Sequence, residues 1–212
     1  MKDLIITLAV DGREKYTEKL KGLIKSLIHW DGDIRVYKEF PSWCTPHDQI
    51  PYAFKYDLIK KAIDDGYKRI FWLDSSIRLL PGKNISQLLD EAPMGIVAFH
   101  NLGHDLEKYI NDTAIKNLRV EKLHEAKQTW GGCVFYDFNK EFPNYILGEV
   151  FRQIELGSFN EDNTKRENFI GHRHDQACLS WLFHTNNMEL LPYGVIAAKK
   201  DITEKTFVLY GD

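Results

Sequence analysis

Two short segments put carboxylates where chemistry can be done: Asp74-Ser75-Ser76 and His172-Arg173-His174-Asp175-Gln176. Asp74 closes the run Arg69-Ile70-Phe71-Trp72-Leu73, whose large apolar residues lie between Gly66 and Pro81 and read as a strand buried on both faces of a parallel sheet. In an open α/β sheet, ligands sit at the carboxyl ends of central strands, so an Asp there is well placed to act. Asp-Ser-Ser is equally good turn and helix-start chemistry. A hard cation such as Mn²⁺ or Mg²⁺ takes oxygen ligands and keeps waters, so Asp74 together with a diphosphate suffices to hold one. Ser76 points to the same side of an extended chain and adds a hydroxyl. His172 and His174, two apart beside a carboxylate, admit a metal reading. They also admit a plainer one, a polar helix start whose histidines bind backbone or substrate hydroxyls. Asp175 at that helix start is by itself an N-cap worth roughly 1 kcal/mol.

Other residues carry two readings each. Arg13 either meets a phosphate through a bidentate contact or is a solvated loop residue. Tyr16 packs at a helix start or stacks on a base, and Lys55 by itself is solvated surface. Trp130 is core unless Gly131-Gly132 opens a cleft, the paired glycines being either a bulge or a close approach of backbone to ligand. Cys44, Cys133 and Cys178 are odd in number and widely spaced, so they read as reduced packing residues of a cytosolic protein rather than as a disulfide framework.

The elements that must position these groups alternate. Residues 3–10 read as a buried strand, 14–29 as a helix with apolar positions 20, 23, 24, 27 and 28, and 34–37 as a second strand, a right-handed parallel unit. After an aromatic, Pro-containing loop at 40–50, a helix over 52–65 leads to the strand that ends in Asp74. A short helix is expected over 85–91, a strand over 95–99, and a helix around 106–118 inside a polar 103–128 stretch read as a mobile cover or partner-facing insert. A strand over 133–136, helices over 144–156 and 175–184, and strand-like pieces at 190–197 and 206–210 complete the chain. Strands alternating with helices predict a single-domain α/β sandwich, residues 1–212, with a mainly parallel central sheet. Its nucleotide-binding half is about 1–100 and its acceptor-side half about 101–212.

Composition narrows the classes. With 43% hydrophobic and 28% charged residues, the 212-residue chain has enough apolar material for one generous core. A net charge of −3 gives no overall footprint for nucleic acid or an anionic membrane. No run reaches the roughly 20 apolar residues of a spanning helix, and the opening apolar run is too short for a signal sequence.

In their order along the chain these segments resemble GT-A-fold glycosyltransferases. Phe71-Trp72-Leu73-Asp74-Ser75-Ser76 is similar to the strand and Asp-x-Asp motif of that superfamily, Ile6-Thr7-Leu8-Ala9 with Tyr16 to its uridine pocket, and Trp130-Gly131-Gly132-Cys133 to the strand bordering the donor sugar. His172-Arg173-His174-Asp175-Gln176 resembles the helix start facing the reaction centre. In length and in several segments the chain looks closest to the small glycosyltransferases encoded by chlorella viruses. The resemblance implies a uridine pocket from Thr7, Ala9 and Tyr16. It further implies a basic contact to the donor from Lys55, and donor contacts from Arg13, Asp74, Ser75, Ser76, Gly131, Gly132, His172 and Gln176. A Mn²⁺ or Mg²⁺ site is implied at Asp74 and Ser76. Two departures stand out. Ser76 occupies the place of the second acid, and the last strand lacks the metal-binding His of many relatives, for which Asp212 could substitute.

The expected activity is therefore transfer of a hexose-type sugar from a nucleoside diphosphate, UDP above others, to a hydroxyl of a saccharide or glycoprotein glycan, with Asp175 at the reacting centre. A non-catalytic nucleotide-sugar or glycan-binding module is the alternative. A nucleotidyltransferase ranks behind both, because Gly12 stands alone where a Gly-rich phosphate loop would lie.

Overall fold

The computed structural model describes residues 2–12 and 15–210; Arg13 and Asp212, both expected at the site, lie outside the described residues. The opening unit is β1 (Leu4–Leu8), α1 (Tyr16–Ser26) and β2 (Asp33–Tyr37), with β1 and β2 parallel and Leu4 opposite Asp33. Helix α2 (Ala53–Asp64) then leads into β3 (Arg69–Leu73), parallel to β1. Next come β4 (Arg78–Leu79), α3 (Ile85–Asp90) and β5 (Ile96–Asp105). Helices α4 (Leu106–Tyr109) and α5 (Asp112–Leu118) precede β6 (Lys127–Asp137), and α6 (Glu141–Glu155), α7 (His174–Thr185), β7 (Ile196–Ala198) and β8 (Val208–Tyr210) finish the fold.

The main sheet has the order β2-β1-β3-β6-β5, and a small sheet has the order β4-β8-β7. Strand β6 runs antiparallel to both β3 and β5, so four of the five main strands share a direction and one is reversed between them. That reversal lets Cys133 and Gly132 face the end of β3 from the opposite direction, as the site requires.

Alternation along the strands divides the core in two. Ile70 and Trp72 of β3, with Leu4 and Ile6 of β1 and Val134 and Tyr136 of β6, pack under α2, α6 and α7. Phe71, Leu73, Ile5, Cys133 and Phe135 pack on the other face with Leu20 and Leu23 of α1 and Leu89 of α3. Burial on both faces is why these strands are apolar throughout rather than at every second residue.

Three expectations change. The single helix over 106–118 is two, broken where Ile110 is extended and Asn111 caps α5, its Oδ1 accepting the Ala114 N–H at 2.9 Å. An Asn followed by Asp and Thr starts a helix more strongly than the apolar spacing continues one. The 103–128 stretch is also no loose cover. Leu106, Ile110 and Ala114 are buried in the core, and the Leu118 carbonyl accepts the Trp181 indole N–H of α7 at 3.1 Å. Finally, β6 begins at Lys127, so Trp130, Gly131 and Gly132 lie within a strand rather than ahead of one. Among the described residues no helix is long and apolar enough to cross a membrane.

Candidate active site

The carboxyl ends of β1 and β3 lie side by side and open into a cleft of about 400 Å³. The end of β1 contributes Leu8, Val10, Asp11 and Gly12, and the start of α1 contributes Tyr16. The 40–50 loop adds Phe40 and His47, the start of α2 adds Tyr52, Phe54 and Lys55, and the end of β3 adds Trp72, Asp74, Ser75 and Ser76. Adjacent parallel strands with a carboxylate at the rim make the ligand crevice of an open α/β sheet.

Asp74 is held rigidly. Its N–H donates to the Gly132 carbonyl at 2.8 Å, and its carbonyl accepts the Ile77 N–H at 2.9 Å, closing a tight turn through Ser75 and Ser76. Oδ1 accepts the Trp72 indole N–H at 2.8 Å, while the side chain as a whole stays 41% exposed toward the cleft. Ser75 is buried and Ser76 partly open.

Lys55 is the centre of the arrangement. Only 4% exposed, it donates to the Gly131 carbonyl at 2.8 Å and lies 3.2 Å from Asp175 Oδ2 and 3.7 Å from Asp74 Oδ1. The rings of Tyr52 and Trp72 face its ammonium at 4.9 and 5.4 Å. Burial opposes that charge, but Asp175 and then Asp74 more than offset it and hold the Lys55 pKa above its ordinary value. Lys55 is therefore a buried bridge between two carboxylates rather than the surface side chain its position in an amphipathic helix suggests.

Asp175 is 3% exposed and sits behind Gly131, where burial raises its pKa, Lys55 opposes the rise and Asp74 adds to it. A Cβ at Gly131 would stand 3.3 Å from Asp175 Oδ2, and one at Gly132 would stand 2.7 Å from Asp74 Oδ2. The glycine pair is thus a close approach, one residue making room for each carboxylate. Gln176 accepts the Gly131 N–H at 3.4 Å, and its Nε2 is buried without a hydrogen-bond partner.

Both helices that carry the central groups start under strain. Tyr52 (φ 63°), before α2, and His174 (φ 37°), at the start of α7, occupy the left-handed region without being glycine, and their rings lie 5.5 Å apart. Such conformations cost on the order of 1–3 kcal/mol and gather at functional sites.

Several expected contributors lie elsewhere. Thr7 and Ala9 are fully buried in the core, and their neighbours Leu8 and Val10 face the cleft, because alternate residues of a strand face opposite ways. His172 is a core residue. Its Nδ1 accepts the Asn111 N–H at 3.3 Å, its Nε2 lies 2.8 Å from the Ser158 carbonyl, and burial lowers its pKa to about 4. His174 is likewise engaged, through Nδ1 with the Phe159 carbonyl at 2.7 Å. Both histidines follow the plainer of their two readings. Tyr16 does line the cleft, at the first turn of α1. The three cysteines are buried, with the Cys44 thiol pushed up to about 12 mainly by burial, as packing residues would be.

Sequence reasoning passed over Asp11, Phe40, His47 and Tyr52. Asp11 directly follows the first strand and was open to detection. Both its oxygens are engaged, by the Thr17 N–H at 2.8 Å and the Thr17 hydroxyl at 2.5 Å. Phe40 and His47 lie in a loop without periodicity, so nothing marked them. His47 and Tyr52 meet edge-on at 4.7 Å and build an aromatic wall beside Lys55.

For a divalent cation, no group of three or more ligating His, Cys, Asp or Glu side chains exists among the described residues. Hard oxygen donors are present in the cleft as the outward oxygen of Asp74 and the hydroxyl of Ser76. They suit Mn²⁺ or Mg²⁺ only with ligand phosphate and water completing the shell.

No family model and no curated protein matches the chain. Solved structures do. A glycosyltransferase involved in glycosylation of the major capsid of PBCV-1 is 14% identical, with a TM-score of 0.55 over 98% of this chain and 93% of that one. Mouse xyloside xylosyltransferase 1, in its apo form, is 10% identical, with a TM-score of 0.56 over 100% and 98%. The galactosyltransferase LgtC, solved in complex with donor and acceptor sugar analogs, is 13% identical, with a TM-score of 0.55 over 98% and 86%. The chain thus has the GT-A glycosyltransferase fold along nearly its whole length.

Proposed function

We propose that this protein is a glycosyltransferase that binds a nucleoside-diphosphate sugar, UDP-linked in particular, in the cleft and moves a hexose-type sugar to a saccharide hydroxyl. One observation carries the reading: Asp74, Lys55 and Asp175, from three separate elements, converge at the carboxyl end of β3 beside a cleft large enough for a nucleotide. The shared fold supports it.

In this reaction the bond from the anomeric carbon to the diphosphate breaks and a bond to the acceptor oxygen forms, while the acceptor hydroxyl's proton passes to an oxygen of the departing diphosphate. Tyr16 and the aromatic wall are positioned to hold the nucleoside end, with Gly131 and Gly132 bordering the sugar. A Mn²⁺ or Mg²⁺ held by Asp74 and Ser76 would supply neutralisation of the leaving diphosphate. Trp72 keeps the Asp74 carboxylate turned, and Lys55 keeps it from repelling Asp175. The pairing of Asp175 with Lys55 and its place behind Gly131, off the lining of the cleft, favour an orienting, charge-stabilising role over proton acceptance. Gln176 has an uncommitted amide N–H₂ near the same strand and is assigned to substrate. His172 supports the site through its contacts with Asn111 and Ser158, and Thr7 and Ala9 border the uridine pocket through the backbone at the end of β1, their side chains packing inward. A cytosolic setting fits the buried free thiols.

A panel of nucleotide sugars scored for released UDP tests the reading. Turnover with one donor is expected, abolished in Asp74→Ala. Tight UDP binding with no release from any donor, even with mixed saccharide acceptors, would instead identify a nucleotide-sugar-binding module. Titration calorimetry of UDP with Mn²⁺ isolates the metal: equal affinity in wild type and Asp74→Ala would remove Asp74 from its role.

A further inference from the structure

Helix α1 packs Leu20 and Leu23 on one face of the main sheet and leaves the edge strand, β2, partly exposed. Ile34, Val36 and Lys38 point to that face, since alternate residues share a side. Between helix and edge runs a groove of about 640 Å³, floored by Leu20, Ile24 and Val36 and rimmed by Lys21, Lys25 and Lys38. Ile24 and Ile34 are 41% and 40% exposed, and Ile28, past the end of α1, is 78% exposed.

Three lysines gather on this one groove. Lys60 and Lys61 of α2 are paired with Asp64 and Asp65. Lys21, Lys25 and Lys38 have no ion-pair partner among the described residues. A net charge of −3 for the whole chain hides this local excess of positive charge. What sets this face apart is that exposed Ile24 shares one groove with three lysines, with Ile34 exposed on the same face of β2. Apolar side chains bracketed by free lysines suit a surface that is apolar just below an anionic layer.

We propose that the α1/β2 edge docks this protein on an anionic lipid membrane, the isoleucines entering the interface and the lysines meeting headgroup charges. Thr17 lines the same groove and also holds Asp11 of the cleft, so a protein docked this way carries its cleft beside the lipid surface. The proposal is independent of the chemistry in the cleft.

Co-sedimentation of the full chain with phosphatidylcholine vesicles, with and without phosphatidylserine, tests it. Binding is expected only with phosphatidylserine and should weaken as salt rises. Changing Lys21, Lys25 and Lys38 together to Gln should lower affinity by about a hundredfold. Ile24→Ser with Ile28→Ser should weaken binding even at low salt, and Lys60→Gln with Lys61→Gln should leave it unchanged. The lysine variants touch only exposed side chains, and an unaltered melting temperature shows that they fold. Absence of binding to either vesicle, equal binding to both, or unchanged binding by the Lys→Gln variant would overturn the proposal. Self-association abolished by Ile24→Ser, without vesicle binding, would assign the face to a second copy instead.

Discussion

The ammonium of Lys55 and the carboxylate of Asp175 lie 3.2 Å apart with both side chains almost fully buried, a charged pair inside the protein at the floor of its cleft. Removing one partner leaves the other charge without compensation, which costs about 3–5 kcal/mol, whereas removing both costs less. Lys55→Met should therefore lower stability in urea more than Lys55→Met combined with Asp175→Asn. If the double variant proves the less stable by the full sum of the two single losses, the pair is not coupled.

Gly132 is required by its neighbour. A Cβ there would stand 2.7 Å from Asp74 Oδ2 and 3.0 Å from Trp130 Nε1, so Gly132→Ala must displace the carboxylate or the strand. The expected cost is about 1–3 kcal/mol in stability, with a large loss of UDP affinity in the presence of Mn²⁺. Gly131→Ala meets its nearest atoms only at 3.3 Å and should be milder on both counts. Calorimetry and thermal melts of the two variants check the order.

His172 gives the fold a dependence on acid. Its pKa is about 4 in the folded chain against an ordinary 6.5, because burial disfavours the charged ring. Between those values the unfolded chain binds the extra proton. Stability therefore falls as pH drops from 6.5 toward 4, by up to about 3 kcal/mol, and this contribution then levels off. Urea midpoints across that range should slope steeply in the wild type and less so in His172→Gln. Parallel slopes would remove His172 as the cause.

Asn111 is a joint of the scaffold behind α7. Fully buried, it caps α5 through Ala114 and donates to the Asn160 carbonyl at 2.8 Å. Asn111→Ala should cost about 1–3 kcal/mol. Asn111→Asp, which keeps the cap oxygen but buries a carboxylate against the Asn160 carbonyl, should be at least as destabilised as Asn111→Ala in chemical denaturation.

The sequence alone determined most of the element order, the doubly buried strand ending in Asp74 and the helix start at Asp175, and it marked the glycine pair as a bulge or a close approach. Those features rest on local periodicity, turn chemistry and residue size, which act over a few neighbouring residues. It also pointed to the fold, through the order of several short motifs. What only the tertiary structure decided was which polar side chains lie buried and which line the cleft. Lys55 looks like solvent-facing helix surface until β6 and α7 close over it. His172 looks like a ligand until the loop before α7 buries it between Asn111 and Ser158, and the register of β1 turns the Thr7 side chain inward. His47 and Phe40 carry no local signal, since their role comes from where a loop lies against α2. A side chain's chemistry is set by the charges and solvent around it, and in this fold those come from elements as distant in sequence as Lys55, Gly131 and Asp175.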